Sequence, residues 1–213
     1  MKQRFFSKPF FEVWLSQAHP KIKDWFQKEI AYLKKNIKPN SKILDIGCGF
    51  GRHIEVIADF SKEIVGIDNN SDMIKKAKDG LSNFKNVKLF VQDAQKLDFD
   101  DDYFDYVICV TNTFGDFPNI KEKVLKEMKR VCKKDGKIII SVYNDKALKI
   151  RKEDYEKVGL HITEIKNGIV YTEEGLISEQ FSKPQLKELF DKLNLKSKIL
   201  ELNAISFLCE LEK

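Results

Sequence analysis

Short blocks of consecutive apolar residues alternate along the chain with stretches in which apolar positions recur every third or fourth residue. These are the signatures of buried strands and of amphipathic helices. From Ile22 to Ile37 the residues Trp25, Phe26, Ile30, Leu33 and Ile37 keep helical spacing, and residues 1–40 read as helical until Pro39-Asn40 ends the pattern. Strands are predicted at Lys42–Ile46, Glu63–Ile67, Val87–Val91, Phe104–Val110 and Lys137–Tyr143, the last entered through an Asp135-Gly136 turn. Helices are predicted between them at His53–Phe60, Asp72–Leu81 and Ile120–Cys132. Phe104–Val110 is almost wholly apolar, as suits a central strand covered on both faces. Beyond Tyr143, residues 145–157 read as helix and Gly159–Phe181 as a β-hairpin turning at Asn167-Gly168. Lys183–Leu193 is a last helix with Ser182 as N-cap and Pro184 in its first turn. Leu195–Leu200 and Ala204–Leu211 close the chain as a strand pair joined by a short loop, hence antiparallel.

Strands that alternate with helices pair in parallel. The expected fold is α/β: a doubly wound, seven-stranded, mostly parallel sheet with a C-terminal antiparallel strand pair, N-terminal helices and a β-hairpin insertion before the last helix. A chain of 213 residues suits one such domain.

Composition narrows the classes of partner. The net charge of +5 is carried mostly by lysine, and arginine is confined to Arg4, Arg52, Arg130 and Arg151. Lysines alternate with acids along the helices, which describes solvated helix faces better than a phosphate track; nucleic acid is left open but not favoured. Cys48, Cys109, Cys132 and Cys209 lie far apart with no Cys-x-x-Cys pair, so neither a local zinc site nor a disulfide scaffold is expected. Cys109 and Cys209 sit in apolar runs and read as core residues. No metal is expected. No run is long and apolar enough to cross a bilayer, and the opening MKQRFFSKPFFEVW lacks the apolar centre and cleavage site of a signal peptide. The expected location is the cytoplasm.

The chemistry concentrates in Ile43-Leu-Asp-Ile-Gly-Cys-Gly-Phe-Gly-Arg-His53, where a strand runs into Gly47, Gly49 and Gly51 and a helix begins. Glycines are needed where a chain bends sharply and a ligand presses on bare backbone. A dinucleotide site has Gly-x-Gly-x-x-Gly facing a pyrophosphate. Here the third glycine comes one residue early and Asp45 precedes the first by two. A carboxylate there opposes a pyrophosphate and suits an ammonium or sulfonium group. Asp68, followed by Asn69, ends the second strand, where a carboxylate can accept from both hydroxyls of a ribose. Asp93-Ala94 leaves the third strand at the same sheet edge.

These residues resemble the successive motifs of the class I S-adenosylmethionine-dependent methyltransferases, and the match runs from Lys42 to Tyr143. The resemblance implies that Asp45, Gly47, Gly49 and Gly51, with Cys48 and His53 beside them, hold the amino-acid part of S-adenosylmethionine. Asp68 and Asn69 would hold the ribose, and Asp93 and Ala94 the adenine. Met73 would pack on the adenine or else belong to the core, and Val110 is a further cofactor-binding candidate. It also divides the single domain into an N-terminal helical cap (1–40), a cofactor-binding core (41–143), a substrate-lid insertion (144–182) and a C-terminal helix and strand pair (183–213). Gly49–His53 and Asn112–Phe117 resemble enzymes acting on small molecules, and Asn112-Thr-Phe departs from the Asn-Pro-Pro-Tyr motif of base and glutamine methylation.

The expected activity is methyl transfer to a nitrogen or oxygen nucleophile of a small molecule. RNA or protein methylation, or cofactor binding without turnover, are the alternatives. An amine acceptor needs little help, whereas a hydroxyl needs a base. Tyr143 and Asp116 are the candidates for catalysis. His53, His161 and Glu164 are further polar candidates, each open to a structural reading. The aromatics Phe5, Phe6, Phe10, Phe11 and Trp14 either cap the pocket or pack the first helix.

Overall fold

The computed structural model describes the chain from residue 8 onward and its side chains from residue 12. Two helices, α1 (Lys8–Gln17) and α2 (Pro20–Asn36), lead into β1 (Lys42–Ile46). Then follow α3 (Arg52–Ile57), β2 (Glu63–Asp68), α4 (Ser71–Gly80), β3 (Val87–Val91), β4 (Phe104–Cys109), α5 (Lys121–Val131) and β5 (Cys132–Tyr143). The remainder comprises α6 (Leu148–Lys157), β6 (Ile162–Lys166), β7 (Ile169–Thr172), β8 (Ile177–Glu179), α7 (Lys183–Lys192), β9 (Lys196–Asn203) and β10 (Ser206–Glu212).

The seven strands of the main sheet run β3-β2-β1-β4-β5-β10-β9. The first five pair in parallel, and β10 is antiparallel to both β5 and β9. Because successive strand residues face opposite sides, each face has its own apolar layer. Leu44, Ile46, Val65, Val107 and Ile140 meet α5 and α7 on one side. Ile43, Ile64, Tyr106, Ile108 and Ile139 meet α2, α3 and α4 on the other. The chain moves outward from β1 to β3 and returns to β4 on the far side of β1. That reversal opens a crevice beyond the carboxyl ends of β1 and β4.

Local chemistry explains the element ends. Asn70 caps α4 by accepting from the Asp72 and Met73 amides. Ser182 and Gln185 form a capping box on α7, with Pro184 in the first turn.

Two expectations are corrected. The Gly159–Phe181 segment is a three-stranded antiparallel sheet, β6-β7-β8, because the chain leaving β7 turns back once more to pair β8 with it. The Asn167-Gly168 turn does join β6 to β7. The fifth strand starts at Cys132, which pairs with Phe104, and Asp135-Gly136 lies inside it at a register shift instead of forming a turn. A side chain at Gly136 would meet the Asp105 carbonyl at 2.8 Å, so only glycine lets the strands approach there.

Candidate active site

A cavity of about 670 Å³ occupies the crevice, within the range of small-ligand sites. One end is made by the turn after β1. Gly47, Gly49 and Gly51 all hold left-handed backbone, with φ of 69, 55 and 88°. Their reasons differ. A side chain at Gly47 would collide with Thr113 Cγ2, and one at Gly51 with Leu81 Cδ1. At Gly49 the nearest atom is Met73 Cε at 3.8 Å, so the space there belongs to the cavity.

Asp68 braces this turn. Its carboxylate accepts from the Gly49 amide at 3.0 Å and the Asn70 amide at 2.8 Å. Burial pushes the carboxyl up, and the amides of Asn70, Gly49 and Asn69 oppose that. A carboxylate has about four lone-pair sites, so capacity remains for ligand hydroxyls. Asp93 accepts from the backbone and side-chain amides of Gln95. Gln92 Oε1, on the same wall, is buried without a partner.

Of the residues expected to hold the cofactor, Gly47, Cys48, Gly49, His53, Asp68, Asn69, Met73, Asp93, Ala94 and Val110 all line the cavity. Two do not, and the expectation of direct contact is corrected for both. Gly51 is spent on packing α3 against α4, where Leu81 and Ala77 lie. Asp45 shares the sheet face of Ile43 and lies almost wholly buried beneath the turn. Its Oδ2 has no partner. Burial, with Glu29 and Asp68 adding and Arg52 opposing, pushes its carboxyl up to about 7. Any pull it exerts on a cation therefore acts through the turn.

Glu29, which sequence reasoning missed, is the centre of a buried network. Its carboxylate accepts from the Thr111 amide at 2.9 Å, Thr111 Oγ1 at 2.7 Å, His53 Nε2 at 2.7 Å and the Ser141 hydroxyl. Arg52 approaches it at 3.5 Å and lies over the Phe26 ring. Burial alone would raise the Glu29 carboxyl, but His53, Arg52 and Ser141 together hold it at about 2. The group thus ties α2 to α3, to the turn after β4 and to β5. Thr111 and Asn112 in that turn have φ of 55 and 62°, strained for a β-branched residue. The one signal in the sequence was an acid on the apolar face of α2, beside Trp25, Phe26 and Leu33.

The opposite end of the cavity is lined by Asp116, Phe117, Tyr143, Tyr155, Leu176 and Ser178, with Trp14 from α1. Asp116 lines the cavity with an exposed side chain. Desolvation by the neighbouring protein pushes its carboxyl up to about 8, with Arg151 pulling down and Asp68 pushing up. Burial pushes the Tyr143 hydroxyl well above its ordinary range, and its ring packs edge-on against Trp25 at 4.7 Å. Trp14 both lines the cavity and donates its indole N–H to Asp154. Phe5, Phe6, Phe10 and Phe11 fall outside the described side chains. His53 is pinned to Glu29, and burial lowers its basicity, which does not suit a free base. His161 and Glu164 are exposed and do not line the cavity. His161, Glu173 and Glu174 bring ligand atoms within 4.8 Å of one another.

The doubly wound sheet, the left-handed glycine turn at its switch point and the carboxylate ending β2 define the class: a Rossmann-like S-adenosylmethionine-dependent methyltransferase. The chain belongs to the family described as methyltransferase domain, whose model matches residues 37–199. It is 36% identical over 126 residues to the demethylmenaquinone methyltransferase of Bacillus subtilis, covering 55% of this chain and 51% of that protein. The corresponding protein of Staphylococcus carnosus is 34% identical over 125 residues, covering 56% and 50%. The chain thus spans about half the length of these relatives. The solved structure of the PH0226 protein from Pyrococcus horikoshii superposes with a TM-score of 0.72 at 28% identity, over 88% of this chain and 90% of that one. No described helix is long and apolar enough to cross a membrane.

Proposed function

We propose that the chain catalyses transfer of the methyl group of S-adenosylmethionine to a nitrogen or oxygen nucleophile of a small molecule. One observation carries the reading: a single cavity has a ligand-ready glycine turn and Asp68 at one end and an aromatic, polar wall at the other. The residues fit the cofactor. Asp68 keeps lone pairs for ribose hydroxyls, Gln92 Oε1 on the cavity wall lacks a partner, and the Gly49 backbone is bare. When bound, S-adenosylmethionine supplies a methyl carbon already activated by its positive sulfur. What remains for the protein is to align the acceptor and exclude water. Trp14, Leu160 and Leu176 narrow the acceptor end, and the segment 144–182 serves as its lid. Asp116 is the group placed to take a proton from a hydroxyl acceptor, and Tyr143 to orient it.

A small-molecule acceptor is favoured by the relatives, whose names specify demethylmenaquinone. The four cysteines are buried and unpaired, which suits a reducing cytoplasm. Calorimetry with S-adenosylhomocysteine against NADH tests the cofactor, and only the former is expected to bind. Incubation with methyl-labelled cofactor and either a metabolite extract or bulk tRNA tests the acceptor. Label is expected in a small molecule. Label confined to RNA overturns the acceptor, and binding without any transfer overturns the activity.

A further inference from the structure

Behind the acceptor end of the cavity lies a fully buried guanidinium. Arg151, on α6, is 0% exposed, and its guanidinium carbon is 4.9 Å from the Tyr143 ring and 5.8 Å from the Tyr155 ring. Both tyrosines line the cavity. Arg151 donates to Gln180 Oε1 at 3.0 Å and to the Ser178 carbonyl at 2.6 Å, while its Nε has no partner. Every one of these acceptors is neutral. The arginine ion pairs among the described residues belong to Arg52 and Arg130, and residues 1–11 contain no Asp or Glu that could supply one. A buried charge without a counter-ion is costly. Two acids act on the same wall: Asp116, whose carboxyl Arg151 pulls down, and buried Asp154, one turn along α6, which with Asp116 pushes the Tyr143 hydroxyl up; neither forms an ion pair with Arg151 among the described residues.

The wall in front of this charge is made of donors. Ser178 Oγ accepts from Asn112 Nδ2 at 2.9 Å and shares a 3.2 Å hydrogen bond with the Tyr155 hydroxyl. Two hydroxyls sharing one bond leave one hydrogen unassigned, and both residues face the cavity. Tyr143 is bonded through its backbone amide to Asn112 Oδ1, and its hydroxyl takes no partner among the described residues. A positive charge that makes no ion pair, behind spare hydroxyl hydrogens, is complementary to a negative oxygen. Trp14, Phe117 and the two tyrosines add ring surfaces that suit a flat ligand.

We propose that this end of the cavity is an oxyanion subsite, built on Arg151, Tyr143 and the Tyr155–Ser178 pair, which takes the acceptor as an ionised aromatic hydroxyl in preference to a neutral amine. The inference rests on the methyl-transfer reading of the cavity and specifies its acceptor.

The test compares two flat probes of nearly equal shape, 4-nitrophenol and 4-nitroaniline, binding to the chain saturated with S-adenosylhomocysteine. Calorimetry gives the affinities, and the visible absorbance of the phenolate gives its ionised fraction. The phenol is expected to bind at least about tenfold more tightly than the amine, with its ionisation moved down by about one pH unit, the equivalent tenfold effect. Arg151→Gln is expected to bring the affinity ratio close to one. Arg151→Lys keeps the charge and most of the preference, and Tyr143→Phe lowers it severalfold. A purely structural arginine would leave the ratio unmoved in any variant that folds. If Arg151→Gln does not fold, Tyr143→Phe and Arg151→Lys carry the comparison. Equal or tighter binding of the amine, no detectable binding of the phenol, or a ratio unchanged in the folded variants overturns the proposal. Loss of S-adenosylhomocysteine binding with the phenolate preference intact would instead sink the methyltransferase reading and leave the subsite standing.

Discussion

Replacing Glu29 by Gln removes one charge and leaves the shape of the side chain nearly unchanged. The carboxylate accepts from four groups on three elements: the Thr111 amide and hydroxyl, His53 and Ser141. A glutamine has one acceptor oxygen, and its NH2 brings two donors to a place already crowded with donors. Breaking a buried, charge-assisted network by removing one partner costs about 3–5 kcal/mol. For a chain of this size each kcal/mol moves the Tm by about 2–4 °C, so a fall of roughly 10 °C is expected. The pH dependence supplies an independent check. Glu29 is held at about 2 in the folded chain against an ordinary 4.5, so its proton is bound more weakly when folded. Its stabilising contribution is therefore complete above about 4.5 and is lost as pH falls toward about 2. That difference corresponds to about 3 kcal/mol. Thermal melts followed by circular dichroism between pH 2.5 and 7 should show Glu29→Gln lowest relative to the native chain at neutral pH, with the gap closing in acid. A Tm within 2 °C of the native value at pH 7, or a gap that stays constant into acid, would refute the assignment of Glu29 as an ionised tie.

The glycines should separate by assay. Gly49→Val places a β-branched residue at φ 55° facing the cavity; together with Asp68→Ala it is expected to abolish S-adenosylhomocysteine binding in calorimetry while the far-ultraviolet spectrum stays native. Native-like affinity in either variant would contradict the placement. Gly51→Ala, which must displace Leu81 and adopt φ 88°, is expected to lower the Tm by several degrees and to weaken affinity little in the molecules that remain folded. Asp116 is raised to about 8 from 3.8, so the folded chain binds its proton more tightly than the unfolded chain. Its contribution to stability is present below about 3.8 and is lost as pH rises through about 8. Asp116→Asn should flatten that decline between about pH 4 and 8, and it should remove any limb of the rate profile near pH 8 for a hydroxyl acceptor; an unaltered profile would exclude Asp116 as the base.

Much of the architecture was legible before any coordinates. Lys42–Ile46 and Val87–Val91 fall where their apolar runs placed them, and Ser182 caps α7 with Pro184 in its first turn as expected. Such features depend on residues a few positions apart, so the chain states them locally. The glycine spacing likewise marked the left-handed turn after β1, because a bend against bare backbone admits few residue types. The boundaries of β5 and the third strand of the small β6-β7-β8 sheet were not legible. They depend on pairing with Phe104 and with β7, which no local pattern encodes.

The sequence by itself therefore determined the order of elements, the doubly wound topology and the edge of the sheet where a ligand sits. Tertiary structure alone decided how charge is distributed there. It set Asp45 under the turn instead of on the cavity wall, because strand alternation points it toward α2 and α3. It made Glu29 a buried tie across three elements, and it gave the buried Arg151 neutral hydrogen-bond acceptors from β8 and Gln180. Periodicity is a property of neighbours along the chain, whereas the state of a charge depends on whatever the fold brings around it from far away.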